Sequence, residues 1–155
     1  MEPGNGASSA HAAESTILIV DDNPELIQLL TDVLEKLGRF RVVSAEDGIQ
    51  GIERYFEVRP ACMIIDIMMP GLDGYQLVKA LRGDPDSART PLIFLTALAQ
   101  DRQRFAGFAS GVDQYLVKPV TPRELVAAVQ RALTEGDTER RQRLQELFEQ
   151  DIPES

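Results

Sequence analysis

The chain has 155 residues, 43% hydrophobic and 26% charged, which fits one globular domain with modest tails. A net charge of −9 repels nucleic-acid phosphates, and the single cysteine, Cys62, excludes an internal disulfide. No apolar run approaches the roughly 20 residues that span a bilayer, and the N-terminus carries no secretory signal; the expectation is a cytoplasmic protein without direct nucleic-acid or membrane contact.

Residues 1–15, MEPGNGASSAHAAES, are small and polar, cannot bury a core, and predict a disordered tail. His11 lies there, the one histidine of the chain, so a histidine metal site is not expected. At Thr16 the pattern changes. The run Thr16-Ile17-Leu18-Ile19-Val20 is short, continuous and largely β-branched, as in a strand covered on both faces. Asn23 and Pro24 follow as N-cap and first helical residue. Leu26, Leu30, Val33 and Leu37 recur at helical spacing, and Gly38 is expected to close that helix. A second strand is predicted over 40–45 and a second helix over 47–58.

Cys62-Met63-Ile64-Ile65 is a third buried run. Beyond a glycine-containing loop, Asp73 opens a helix bearing Leu77, Val78 and Leu81. A fourth strand is predicted over 91–95, then a helical stretch to about 109. Gln114-Tyr115-Leu116-Val117 is the fifth strand. Thr121-Pro122-Arg123-Glu124 is a capping box with proline at its first helical position, opening a last helix to about 133. Strand and helix alternate with short links, which predicts an α/β domain over 16–135, a parallel sheet with helices on both faces. Residues 136–155 form a charged C-terminal helix or linker, with Leu144, Leu147 and Phe148 on one face. That face reads either as a frayed helix or linker start, or as a dimerising or partner-docking surface.

The chemistry follows the buried strands. Asp21 and Asp22 come directly after Val20, Asp66 after Ile65, Thr96 after Leu95 and Lys118 after Val117. In a parallel sheet the strand C-termini meet at one edge, where ligands bind. Three acids, a hydroxyl and an ammonium therefore converge. Each has a duller explanation alone: a helix cap for Asp22, a strand-end hydroxyl for Thr96, a solvated charge for Lys118. Clustered carboxylates repel unless a cation lies among them, and an all-oxygen set suits Mg²⁺ rather than zinc. Mg²⁺ beside a lysine and a threonine is what phosphoryl transfer requires, with a carboxylate as nucleophile.

The runs ILIVDDNP, MIIDIMMPGLDGYQL, PLIFLTA and GVDQYLVKP, in this order, resemble the receiver domain of bacterial response regulators over roughly 16–133. The resemblance implies a flavodoxin-like, doubly wound five-stranded parallel sheet in the order 2-1-3-4-5. It implies Asp66 as phosphoacceptor, Asp21 and Asp22 with the Met68 backbone carbonyl as Mg²⁺ ligands, and Lys118 paired with the phosphoryl oxygens before a cis proline. Thr96 would move toward the phosphoryl group and Tyr115 would swing inward. That would alter the face formed by the fourth helix, the fifth strand and the last helix. The phosphodonor would be a sensor histidine kinase or a phosphotransfer protein, and the output a downstream protein target or a phosphorylation-linked homodimer. Met68 and Leu98 predict a persistent phosphorylated form, because apolar bulk beside the acceptor hinders an attacking water.

Three rivals fit less well. A Mg²⁺-dependent phosphohydrolase needs an acid/base aspartate two residues after the nucleophile, where Met68 stands, and a cap for which there is no insertion. A silent interaction module would lose the acceptor, an acidic partner or the lysine. A nucleotide-binding domain needs a glycine-rich loop after the first strand, where DDNP stands. The expected protein is thus not an enzyme but a self-phosphorylating switch with autophosphatase activity only, either stand-alone or cut from a longer regulator.

Overall fold

The computed structural model of the protein describes residues 15–67, 69, 73–97 and 112–135. The strands are β1 (Thr16–Val20), β2 (Arg41–Ala45), β3 (Cys62–Asp66), β4 (Leu92–Thr96) and β5 (Gln114–Val117). The helices among the described residues are α1 (Pro24–Lys36), α2 (Gly48–Val58), α3 (Gly74–Arg82) and α4 (Pro122–Thr134). All strand pairings are parallel, in the order β2-β1-β3-β4-β5. Fold and strand order are those the resemblance implies. The N-terminal tail, Met68, Leu98, the helical stretch toward 109 and the charged segment 136–155 lie outside the described residues.

Successive strand residues point to opposite faces of the sheet, and the core divides accordingly. Leu18, Val20, Met63, Ile65 and Phe94 pack with residues of α2 and α3. Ile17, Ile19, Cys62, Ile64, Ile93 and Leu95 pack with α1 and α4 on the other side. Both faces are covered, which is why β3 and β4 are buried at every position. No helix among the described residues is long and apolar enough to cross a membrane.

Helix starts follow from their capping chemistry. Asn23 Oδ1 accepts from the amides of Glu25 and Leu26, and Asp47 accepts from that of Gln50. Reciprocal capping boxes close at Asp73–Gln76 and Thr121–Glu124. Each satisfies amides that the first helical turn leaves without a partner.

Two local expectations are corrected. In α1 the buried residues are Ile27, Leu30 and Leu34, whereas Leu37 is 62% exposed. Leu26 and Val33 are only partly buried, so the apolar stripe of this helix is wider than its buried face. α1 closes just before Gly38, as expected, with Leu37 as its C-cap, and the left-handed residue that follows is Arg39, φ 60°. Gly38 is required for space: a Cβ there would lie 2.5 Å from the Phe40 ring and 2.9 Å from the Leu34 carbonyl oxygen. Second, β3 runs on to Asp66, which pairs with Leu95, and the Ile67 amide donates to the Leu95 carbonyl at 3.1 Å.

The connection from α3 to β4 is held by one guanidinium. Arg82 Nη1 donates to the carbonyls of Ser87, Ala88 and Thr90, and Nη2 reaches Asp113 Oδ2 at 3.2 Å. The same Asp113 oxygen accepts from the Leu92 amide at 2.7 Å. Tyr55 supports the connection from α2, its hydroxyl bonded to Thr90 Oγ1 and the Asp86 carbonyl.

At the start of α3 the backbone is pressed against β3. The Gly74 amide donates to the Ile67 carbonyl at 3.0 Å, and a Cβ on Gly74 would sit 2.7 Å from both the Asp66 carbonyl oxygen and the Ile67 Cα. Those atoms are backbone and cannot rotate away. At Gly83 the nearest atom to an added Cβ is 3.4 Å off and the backbone is right-handed. Gly74→Ala is therefore expected to cost about 1–3 kcal/mol by overpacking, while Gly83→Ala gains about 0.4–1 kcal/mol by restricting the unfolded chain. Urea unfolding of the two variants checks both signs.

Candidate functional site

Register fixes the site. Val20 pairs with Ile65, Asp66 with Leu95 and Thr96 with Val117. Asp21 and Asp66, each one residue further along, therefore stand level at the C-terminal edge of the sheet. Thr96 ends β4 next to them, and Lys118 follows β5. Asp21, Asp66 and Thr96 are buried, at 1%, 6% and 0% exposure, while Asp22 faces solvent.

Asp21, Asp22 and Asp66 each offer a carboxylate oxygen, and the three oxygens lie within 4.8 Å of one another. Lys118 Nζ is 3.7 Å from Asp66 Oδ1 and 3.9 Å from Asp21 Oδ2. Asp21 Oδ1 accepts from the Asn23 amide at 2.9 Å, and the Asp21 amide itself donates to the Ala45 carbonyl. Its second oxygen, Oδ2, is buried and has no hydrogen-bond partner. The Lys118 amide donates to the Thr96 carbonyl at 2.6 Å, and the Lys118–Pro119 peptide is cis.

Burial raises the Asp21 pKa, and the neighbouring charge of Asp22 adds to the rise. The Asn23 amide and Lys118 oppose it without cancelling it. With all three acids ionised, one ammonium leaves the cluster two negative charges in excess. An oxygen-only set with that excess, including a buried oxygen that accepts no hydrogen bond, fits a hard divalent cation such as Mg²⁺. It does not fit a thiolate- or imidazole-seeking metal.

The sign of the pH effect follows. A folded-state pKa above the unfolded value means that folding disfavours the ionised form, so stability falls as pH rises through that interval. Without metal, Asp21→Asn is expected to stabilise the protein near pH 7 by about 1 kcal/mol, the scale for a buried polar group whose partners only partly offset its desolvation. The gain disappears below the ordinary carboxylate range. Thermal unfolding in a chelator at two pH values checks this, and Mg²⁺ should stabilise wild type but not the variant.

The structure brings together Asp21, Asp22, Asp66 and Lys118, with Thr96 at the adjoining strand end. Tyr115, two positions before Val117 on β5, is buried in the core cluster with Phe94 and Val112. Met68, the expected carbonyl ligand, lies outside the described residues. Two contributors escaped sequence reasoning. Asn23 reads as a helix cap, yet its amide also orients Asp21. Gly74 allows α3 to approach the Asp66 peptide; a glycine directly after the N-cap Asp73 was the available signal.

Comparison with known proteins agrees with this geometry. Residues 17–130 match the sequence model of the response regulator receiver domain. The transcriptional regulator RpaA of Synechocystis sp. (strain PCC 6803), described as DNA-binding, is 38% identical over 121 residues, covering 78% of this chain and 50% of its own. The transcriptional regulatory protein SrrA of Staphylococcus aureus is 40% identical over 117 residues, covering 76% of this chain and 47% of its own. The chain thus spans about half the length of these curated relatives. Among solved structures, the receiver domain of the sensor histidine kinase PA1611 of Pseudomonas aeruginosa superposes with a TM-score of 0.71 at 33% identity, covering 79% of this chain and 99% of that one. That structure holds a magnesium ion in its active-site cleft. The chemotaxis protein CheY4 of Vibrio cholerae gives a TM-score of 0.71 at 31% identity, covering 77% and 99%. By sequence match, strand order and the acidic edge of its sheet, the chain belongs to the response regulator receiver domain family.

Proposed function

We propose that Asp66 accepts a phosphoryl group from a phosphohistidine of a sensor kinase or phosphotransfer protein, and that the resulting charge switches a partner or output domain. The observation that carries the reading is the contact of Asp66 with Lys118 inside a cluster of three carboxylates. An Asp66 oxygen attacks phosphorus, the P–N bond breaks, and the histidine nitrogen keeps the bonding pair. Asp21, Asp22 and Asp66 would hold Mg²⁺, as would the expected Met68 carbonyl, and the ion would supply charge neutralisation on the transferring oxygens. Lys118 leaves its place between Asp21 and Asp66 to pair with a phosphoryl oxygen, and Thr96 donates its hydroxyl to another. Loss of the group takes a water molecule at phosphorus and returns the free carboxylate, so the chain hydrolyses only its own phosphate.

The switch runs through Thr96 and Tyr115, which share the β4–β5 edge with the site. A new charge at Asp66 biases a two-state arrangement there, and the fifth strand and last helix present it to a partner. In a cytoplasmic setting the output is a protein contact or phosphorylation-linked pairing. The relatives described as transcriptional regulators are about twice as long as the matched stretch. Any DNA contact therefore belongs to another part of such a protein, in keeping with the acidic net charge of this chain.

Incubation with acetyl phosphate and Mg²⁺ tests the reading. Wild type is expected to gain one acid-labile phosphoryl group, and Asp66→Asn none. Lys118→Ala should keep Mg²⁺ binding yet lose about tenfold or more in phosphorylation rate, on the scale of removing one electrostatic contact to developing charge. Equal labelling of wild type and Asp66→Asn would remove Asp66 as the acceptor.

A further inference from the structure

A helix start leaves four amide positions without an intrahelical partner, and for α1 these are residues 23 to 26. The Asn23 amide donates to Asp21 Oδ1 at 2.9 Å. Pro24 has no amide to place. The amides of Glu25 and Leu26 end on Asn23 Oδ1, at 3.0 and 3.3 Å. The Asn23 carbonyl then accepts from the Ile27 amide at 3.0 Å. The whole first turn of α1 is thus closed by two residues, and Asp21 is one of them.

Asp21 needs such a support. It is buried, and its Oδ2 accepts no hydrogen bond and lies 3.9 Å from Lys118 Nζ. Rotation of an aspartate about its last torsion is soft, so burial alone does not settle how the carboxylate turns. With Oδ1 held by the Asn23 amide, Oδ2 is left on the side of Lys118. The amide in turn points where the Asn23 backbone directs it. That backbone is extended, φ −104° and ψ 105°, and the two side-chain bonds to α1 hold it there.

Mg²⁺ demands near-ideal octahedral geometry and tolerates little misplacement of a ligand oxygen. Groups that hydrogen-bond metal ligands accordingly change metal affinity by about 10- to 100-fold.

We propose that Asn23 is a positioning residue for the cation: its capping side chain sets the affinity of the acidic cluster for Mg²⁺ by holding the amide that orients Asp21. Capping and binding then share one equilibrium. An intact cap tightens the ion, and a bound ion tightens the first turn of α1, by the same factor. This coupling rests on the cation site of the function proposed above and deepens it by one residue; it needs no phosphoryl group on Asp66.

Calorimetric titration of the full chain with Mg²⁺, without a phosphodonor, tests the first direction. Asn23→Ala is expected to bind about threefold or more weakly, because the amide is loosened rather than removed. Asn23→Ser, an equally good cap, should restore wild-type affinity. Ile17→Val, a buried truncation toward the opposite end of β1, should bind as wild type does. Amide exchange in wild type tests the reverse direction. Saturating Mg²⁺ should slow exchange at Glu25 and Leu26 by a similar factor. The Gln50 amide, held by Asp47 in the cap of α2, should not change. Wild-type affinity in Asn23→Ala would overturn the coupling and leave the proposed function intact. So would equal weakening by Asn23→Ser or Ile17→Val, or equal slowing at Gln50. No Mg²⁺ binding by wild type would overturn the coupling and the cation site together.

Discussion

A strand covered on both faces has nowhere to put a polar side chain except its end. β1, β3 and β4 are such strands, buried from Ile17 to Val20, from Cys62 to Asp66 and from Leu92 to Thr96. Parallel pairing then places all those ends on one edge, and the polar groups cannot avoid one another. The acidic cluster is thus a direct product of how the sheet is buried. Its repulsion is contained by fixed positive or donating groups: Lys118 between Asp21 and Asp66, and the Asn23 amide on Asp21. The burial that makes the sheet stable also leaves Asp21 poorly solvated, and so prepares the edge for a cation.

Much of the architecture was legible because strand and helix signals are local. The apolar runs and the helix starts at Asn23, Asp73 and Thr121 predict the described elements to within a residue or two. The mistakes arose where tertiary contacts choose among equivalent local options. Leu26, Leu30, Val33 and Leu37 and the buried set Ile27, Leu30 and Leu34 are both helical stripes; which one faces the sheet depends on the position of α4. Gly38 does end α1, but what demands a glycine there is the Phe40 ring, and Arg39 takes the unusual dihedral.

The site was legible in its residue types and opaque in its geometry. That Asp21, Asp22, Asp66 and Lys118 meet follows from strand ends alone. That Asp21 is buried with one oxygen accepting no hydrogen bond while Asp22 faces water depends on the turn into α1. The turn uses Asn23 twice, side chain to the helix and amide to the acid, so the orientation of Asp21 and the start of α1 are mechanically one unit. Gly74 makes a similar unit of α3 and the Asp66 peptide.

Arg82 has a different kind of consequence. It grips the α3–β4 connection through three backbone carbonyls rather than through side chains. Every residue type supplies a carbonyl, so the side chains at Ala88 and its exposed neighbours are free to drift over evolutionary time. The spacing of the carbonyls is not free, because the planar fork of the guanidinium fixes where they must fall. Insertions and deletions in this connection should therefore be far rarer among descendants than substitutions, and a lysine in place of Arg82 should be rarer still.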